Sequence, residues 1–167
     1  MTHVNACGDI IPMLASFPAS QLEQENDMKV LFASDGSKYS DHAARYMTKT
    51  LHTKAKALSV TLFYVDPPML KRVNAALGVQ RVAQIHRENA DANLKGTRQL
   101  LRRAGVSFDE AHAIGNPAQS IARKAEKEGY DLVLMGSRGR SALQNVLLGS
   151  VTSRVLSNCK VPVLVVS

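Results

Sequence analysis

From Met28 onward the chain repeats one pattern: a short apolar run, then a longer segment with helical spacing. Val30–Ala33 is continuously apolar, as suits a strand covered on both faces. Ala43, Ala44, Met47 and Leu51 then recur at helical intervals over Ser37–Thr53, with Asp35 or Ser37 able to cap the start. Ala57–Val65 reads as a second strand, stopped by Pro67-Pro68. A charged segment from about Asn74 to Ala104 reads as a helix closed by Gly105. Val106–Ala113 is a shorter, more polar strand suited to an edge. Gly115-Asn-Pro117 opens a helix reaching Gly129, with Pro117 in its first turn. Asp131–Met135, a helix over Val151–Asn158 and a last strand over Val161–Val166 complete the series. Strands alternating with helices predict an α/β domain: an open, five-stranded parallel sheet with helices on both faces. In such sheets ligands sit at the carboxyl ends of the strands, beside the point where strand order reverses.

The first 27 residues do not share this pattern. They contain Asp9, Glu23, Glu25 and Asp27 and no Lys or Arg, a net of −4 in a chain of +7, so the remainder carries +11. They are expected to form a flexible extension, with the folded domain over 28–167. They lack the charged start of a secretory signal, and no stretch of the chain reaches the roughly 18 apolar residues of a membrane span. The expected location is the cytoplasm. Cys7 and Cys159 are too few for a disulfide framework, His3 with Cys7 falls short of a metal ligand set, and Cys159 reads as a small buried hydrophobe.

A basic domain suggests an anionic partner, either nucleic acid or a phosphorylated small molecule. Without tryptophan and with few aromatic side chains to stack on bases, nucleic acid is the weaker reading. Arg98, Arg102 and Arg103 read as a solvated helix face. The segment Gly136-Ser-Arg-Gly139-Arg-Ser-Ala-Leu-Gln-Asn-Val-Leu-Leu-Gly149-Ser150 carries the most chemistry. Its glycines permit tight turns and close backbone approach, and it leads into a helix whose free N–H groups favour phosphate. Ser150 and Thr152 add hydroxyls; Arg138 and Arg140 add charge. Within this loop, Leu143, Val146 and Leu147 read as packing. Elsewhere His42, His52, His86 and His112 are scattered with no paired carboxylate at a suggestive spacing, and Asp109-Glu110 reads as a solvated turn.

The spacing Gly136-x2-Gly139-x9-Gly149-Ser150 resembles the nucleotide-binding signature of the universal stress protein family. Asp35-Gly36-Ser37, Val65-Asp66, Gly115-Asn-Pro117 and the terminal Val161–Val166 are similar as well, so that the resemblance covers Met28–Ser167. It implies a Rossmann-like fold with strand order 3-2-1-4-5 and an ATP site. By position, Asp35 meets the adenosine half, with Ala33 and Ser34 lining the same turn; Val65 and Met135 border the adenine. Gly136, Arg138, Gly139, Gly149 and Ser150 hold the phosphates, with Val151 and Thr152 adjoining. The resemblance further implies a homodimer through Val161–Val166 and a role in stress response or signalling. There is no P-loop lysine pattern, so little or no turnover is expected, with a slow ATPase or phosphotransferase as the alternative. Magnesium could accompany ATP, with Asp66 placed to help hold it.

Overall fold

The computed structural model describes residues 28–54, 57–140 and 147–167. Its strands are β1 (Met28–Ala33), β2 (Leu58–Asp66), β3 (Phe108–Ile114), β4 (Leu132–Gly136) and β5 (Val163–Val166). All pair in parallel in the order β3-β2-β1-β4-β5, so the chain steps outward from β1 to β3 and then returns to β1's other side. The order reverses between β1 and β4, where Ala33 lies opposite Met135.

The central strand explains the apolar runs. Val30 and Phe32 point into one core, beneath α1 (Lys38–Tyr46) and α3 (Lys71–Arg103). Leu31 and Ala33 point into the other, beneath α4 (Pro117–Lys127) and α5 (Ser150–Asn158). Alternate side chains along one strand thus enter opposite cores, and every position of Val30–Phe32 must be apolar because none reaches water. β3 is an edge strand, as its polarity suggests: only Phe108, Ala111 and Ala113 pack against the cores.

Local chemistry sets the helix ends. Ser37 caps α1 by accepting from the Ser40 N–H at 3.3 Å, which leaves Asp35 for another task. α1 continues through a π-helical turn (Met47–Leu51) into a closing turn, α2 (His52–Lys54). Asn116 caps α4 through the Gln119 N–H at 3.2 Å, with Pro117 following. The long helix departs from the expected range: it starts at Lys71 and is broken at Gly78, whose φ of 76° no helix residue adopts. Gly105 closes it at φ 70°.

Three sequence-based expectations are corrected. Asp109 and Glu110 belong to β3 rather than a turn, because they pair with Thr61 and Leu62 of β2. Arg98 is not a solvated charge: its guanidinium donates to both Glu110 oxygens at 2.7 and 2.8 Å and lies 2.9 Å from Asp91. These bonds hold its proton more firmly than usual, against the opposing effect of burial. Leu147 is exposed rather than packed. Leu143, Val146, His3, Cys7 and the amino-terminal extension lie outside the described residues. Cys159 is half-buried beside the α4–α5 core, and desolvation pushes its thiol pKa up, which suits packing rather than reactivity. Among the described residues, no helix is long and apolar enough to cross a membrane.

Candidate functional site

The carboxyl ends of β1 and β4 open into a cavity of about 490 Å³. Parallel strands deliver their last residues to one edge, and the first turns of α4 and α5 wall the crevice. All twelve residues singled out in the sequence border this cavity. Ala33, Ser34 and Asp35 come from the β1 end, Val65 from β2, and Met135 with Gly136 from β4. Arg138 and Gly139 follow on the loop, and Gly149, Ser150, Val151 and Thr152 form the start of α5.

Asp35 organises the entrance. Its Oδ1 accepts from the Ser37 N–H at 3.0 Å and the Ser40 hydroxyl at 2.9 Å; its Oδ2 accepts from the Arg140 N–H at 3.1 Å. With about two lone pairs on each carboxylate oxygen, Oδ1 is filled while Oδ2 keeps one position open. Gly139 is small for a visible reason: a Cβ there would stand 2.8 Å from Asp35 Oδ2.

The distant halves of the glycine motif meet in space. The Gly149 N–H donates to the Ser137 carbonyl at 2.8 Å, and a Cβ on Gly149 would lie 3.3 Å from Arg138 Cα. The Thr152 hydroxyl donates to the Gly136 carbonyl at 3.1 Å, tying α5 to the end of β4. That hydroxyl therefore serves the fold. Gly136 has a second demand on it, since a Cβ would come within 2.7 Å of the Tyr39 carbonyl carbon on α1.

Part of the cavity is suited to an anion. Gly149 is the N-cap of α5, and its carbonyl receives its first helical bond from the Ser153 N–H at 2.9 Å. The N–H groups of Ser150, Val151 and Thr152 precede that bond and have no helical partner. No acidic residue occupies this first turn, so the helix dipole stands uncompensated. Arg138 lies beside it, its Cα 3.3 Å from where a Gly149 Cβ would stand, and Arg140 also lines the cavity. Arg138 stacks over the Tyr39 ring at 4.5 Å, and among the described residues its buried Nε has no hydrogen-bond partner, nor does the Ser137 hydroxyl. The lining also has an apolar part, made by Val65 and Met135 and by Phe63, Pro117 and Ile121. The last three were not found from sequence. Pro117 was read as a helix opener, which it is, and only the placement of α4 turns it and Ile121 toward the cavity.

A polar network beneath the site was also missed. The Tyr64 hydroxyl donates to Asp66 Oδ1 at 3.1 Å, while His86 Nδ1 and Asn89 Nδ2 reach Asp66 Oδ2 at 2.6 and 2.8 Å. His86 thus has the carboxylate partner that spacing did not reveal, 20 residues away and buried. Burial raises the Asp66 pKa, but hydrogen bonds from Asn89, His86 and Tyr64 outweigh it, holding the carboxyl below its usual range. Burial, then the Asp66 charge and hydrogen bond, push the Tyr64 hydroxyl up to about 12. Asp66 is buried and does not border the cavity, so it is not placed to hold magnesium there. Among the described residues, no three His, Cys, Asp or Glu side chains gather as a metal site.

Comparison with known proteins places this architecture. MJ0531, a universal stress protein of Methanocaldococcus jannaschii, is 30% identical over 83% of this chain and 81% of its own length. The solved structure of MJ0577 from the same organism is 28% identical, with a TM-score of 0.67 over 83% of this chain and 94% of that one. More distant structures share the fold at 22, 17 and 14% identity and TM-scores of 0.57, 0.58 and 0.59. Each covers 83–84% of this chain and 90–98% of its own. They are universal stress proteins solved with cAMP, with dAMP (Archaeoglobus fulgidus) and with AMP (Arabidopsis thaliana). The profile of the Universal stress protein family matches residues 28–167, and the chain belongs to that family.

Proposed function

We propose that this protein is a cytoplasmic, ATP-binding member of its family, using the bound nucleotide in stress response or signalling with little or no turnover. The observation that carries this reading is the polarity of the cavity. Its lining combines the free N–H groups of α5 and the Arg138 guanidinium, whose Nε has no hydrogen-bond partner among the described residues, with an apolar slot. A nucleotide has the same division into polyphosphate and flat base. The adenine complexes of structurally similar proteins support the choice of base. Adenine is assigned to the slot between Val65 and Met135, and the ribose to the open position on Asp35 Oδ2 beside Ala33 and Ser34. The phosphates are assigned to Gly136, Arg138, Gly139, Gly149 and Ser150, with the backbone of Val151 and Thr152. Magnesium would arrive on the phosphates.

Slow turnover follows from the same geometry. Asp35 is the one carboxylate among the described residues lining the cavity, and three protein donors already engage it, so it is a poor base for water. Titration calorimetry is expected to show one ATP bound per chain, with phosphate release far slower than ligand exchange. Absence of adenine-nucleotide binding overturns the reading, and sustained hydrolysis overturns its non-catalytic part.

A homodimer through Val161–Val166 belongs to the same proposal. β5 is an edge strand whose apolar side chains are only half-buried, a surface that pairing would cover. Light scattering at micromolar concentration is expected to give twice the chain mass; a stable monomer argues against pairing.

A further inference from the structure

The polar network below the cavity ends at an arginine on its rim, and its hydrogen-bond directions run one way. Asp66, buried, can only accept, so the Tyr64 hydroxyl must donate to it and turn its own oxygen outward. That oxygen accepts from Asn93 Nδ2 at 3.1 Å, and Nδ2 also donates to the Asn89 carbonyl at 2.8 Å. With both amide hydrogens taken, Asn93 Oδ1 is fixed toward the rim, where it accepts from Arg140 Nη1. Asn93 itself is held in place, because Gly36 packs directly on its carbonyl. Arg140 is exposed, and its backbone N–H is pinned on Asp35. A long side chain on a loop is thereby anchored at both ends, with its remaining guanidinium N–H groups beside the cavity it lines.

We propose that Asn93 is a positioning residue that presents Arg140 to the ligand's phosphates, so that helix α3 sets the preference for a nucleoside polyphosphate over the bare nucleoside. The inference rests on the adenine-nucleotide reading of the site. A guanidinium already oriented loses less freedom when it meets phosphate than one swinging from a loop. The buried Asp66–His86 pair is the fixed end of this arrangement, and Tyr64 and Asn93 carry its orientation to the rim.

Affinities for ATP and for adenosine, measured by calorimetry on the full chain and its variants, test the proposal. Asn93→Ala is expected to weaken ATP about fivefold and Arg140→Ala about tenfold, the scale of one charge-assisted hydrogen bond. Neither should change adenosine affinity. The double variant should match Arg140→Ala alone, because Asn93 acts only through the arginine. Equal losses for ATP and adenosine, or additive losses in the double variant, overturn the positioning role. Should Asn93→Ala fail to fold, Arg140→Ala on its exposed loop still decides: an unchanged ratio of ATP to adenosine affinity overturns the proposal. Wild-type protein that binds neither ligand overturns the nucleotide reading itself, whereas wild-type binding with unaltered variants overturns this inference alone.

Discussion

Replacing Asp66 with alanine is expected to lower the free energy of unfolding by about 3 kcal/mol or more, since three buried hydrogen-bonding groups lose a shared carboxylate partner at about 1 kcal/mol or more each. The carboxylate is the common acceptor for His86, Asn89 and Tyr64, and His86 is 3% exposed. Truncation leaves three polar groups without an acceptor, in a place water scarcely reaches. Urea denaturation should show an earlier midpoint with a similar slope, since the folded state remains equally compact. A shift below about 1 kcal/mol would mean that water or rearranged side chains satisfy the orphaned groups. The acid limb provides a second readout. Because the folded Asp66 carboxyl titrates below its unfolded value near 3.9, its contribution is complete above about pH 4. It is lost as the pH falls from there through the depressed folded value. Asp66→Asn cannot titrate, so its stability should fall less steeply than wild type across that interval.

Asp35→Ala is expected to weaken ATP binding about 100-fold, equivalent to about 2.7 kcal/mol and within the range for hydrogen bonds to a charged group. Two losses combine. The proposed ribose hydroxyl loses its acceptor, and the Arg140 N–H is released from the carboxylate that now holds the loop. Ligand chemistry separates them. A nucleotide lacking both ribose hydroxyls should bind wild type more weakly than ATP, yet bind Asp35→Ala as well as ATP does. If the variant still distinguishes the two ligands, Asp35 anchors the loop and the ribose contact lies elsewhere. Equal binding of ATP by variant and wild type removes Asp35 from the site altogether. Ser37 remains the cap of α1 in the variant, so the change should leave that helix in place.

The elements were legible because their signals are local. Val30–Ala33 is apolar at every position since both faces of β1 are covered, and Asn116-Pro117 announces a helix by the geometry of its first turn. The cavity was partly legible for a related reason. In a parallel sheet the strand ends emerge at one edge, and the strand order implied by the resemblance makes β1 and β4 neighbours, so Asp35 and Gly136 could be paired. Where the local reading failed, the partner was remote. Arg98 resembles any helix-surface cation until Glu110 on β3 is brought beside it. Gly78 sits within a run of good helix formers, and nothing nearby in the chain signals its positive φ.

Periodicity by itself determined the layered α/β architecture and the strand-end location of the cavity, while most of its lining was implied by the resemblance that the glycine motif carries. Backbone geometry imposes those patterns on neighbouring residues, so they survive in a one-dimensional string. Tertiary structure alone decided that His86 meets Asp66, that Asn93 holds Arg140 across 47 residues, and that Ile121 joins the apolar part of the lining. It also decided that Gly136 must admit the backbone of Tyr39. Each of these depends on how a helix is rotated and seated against the sheet. That is settled by the packing of two whole cores, which no short stretch of sequence encodes.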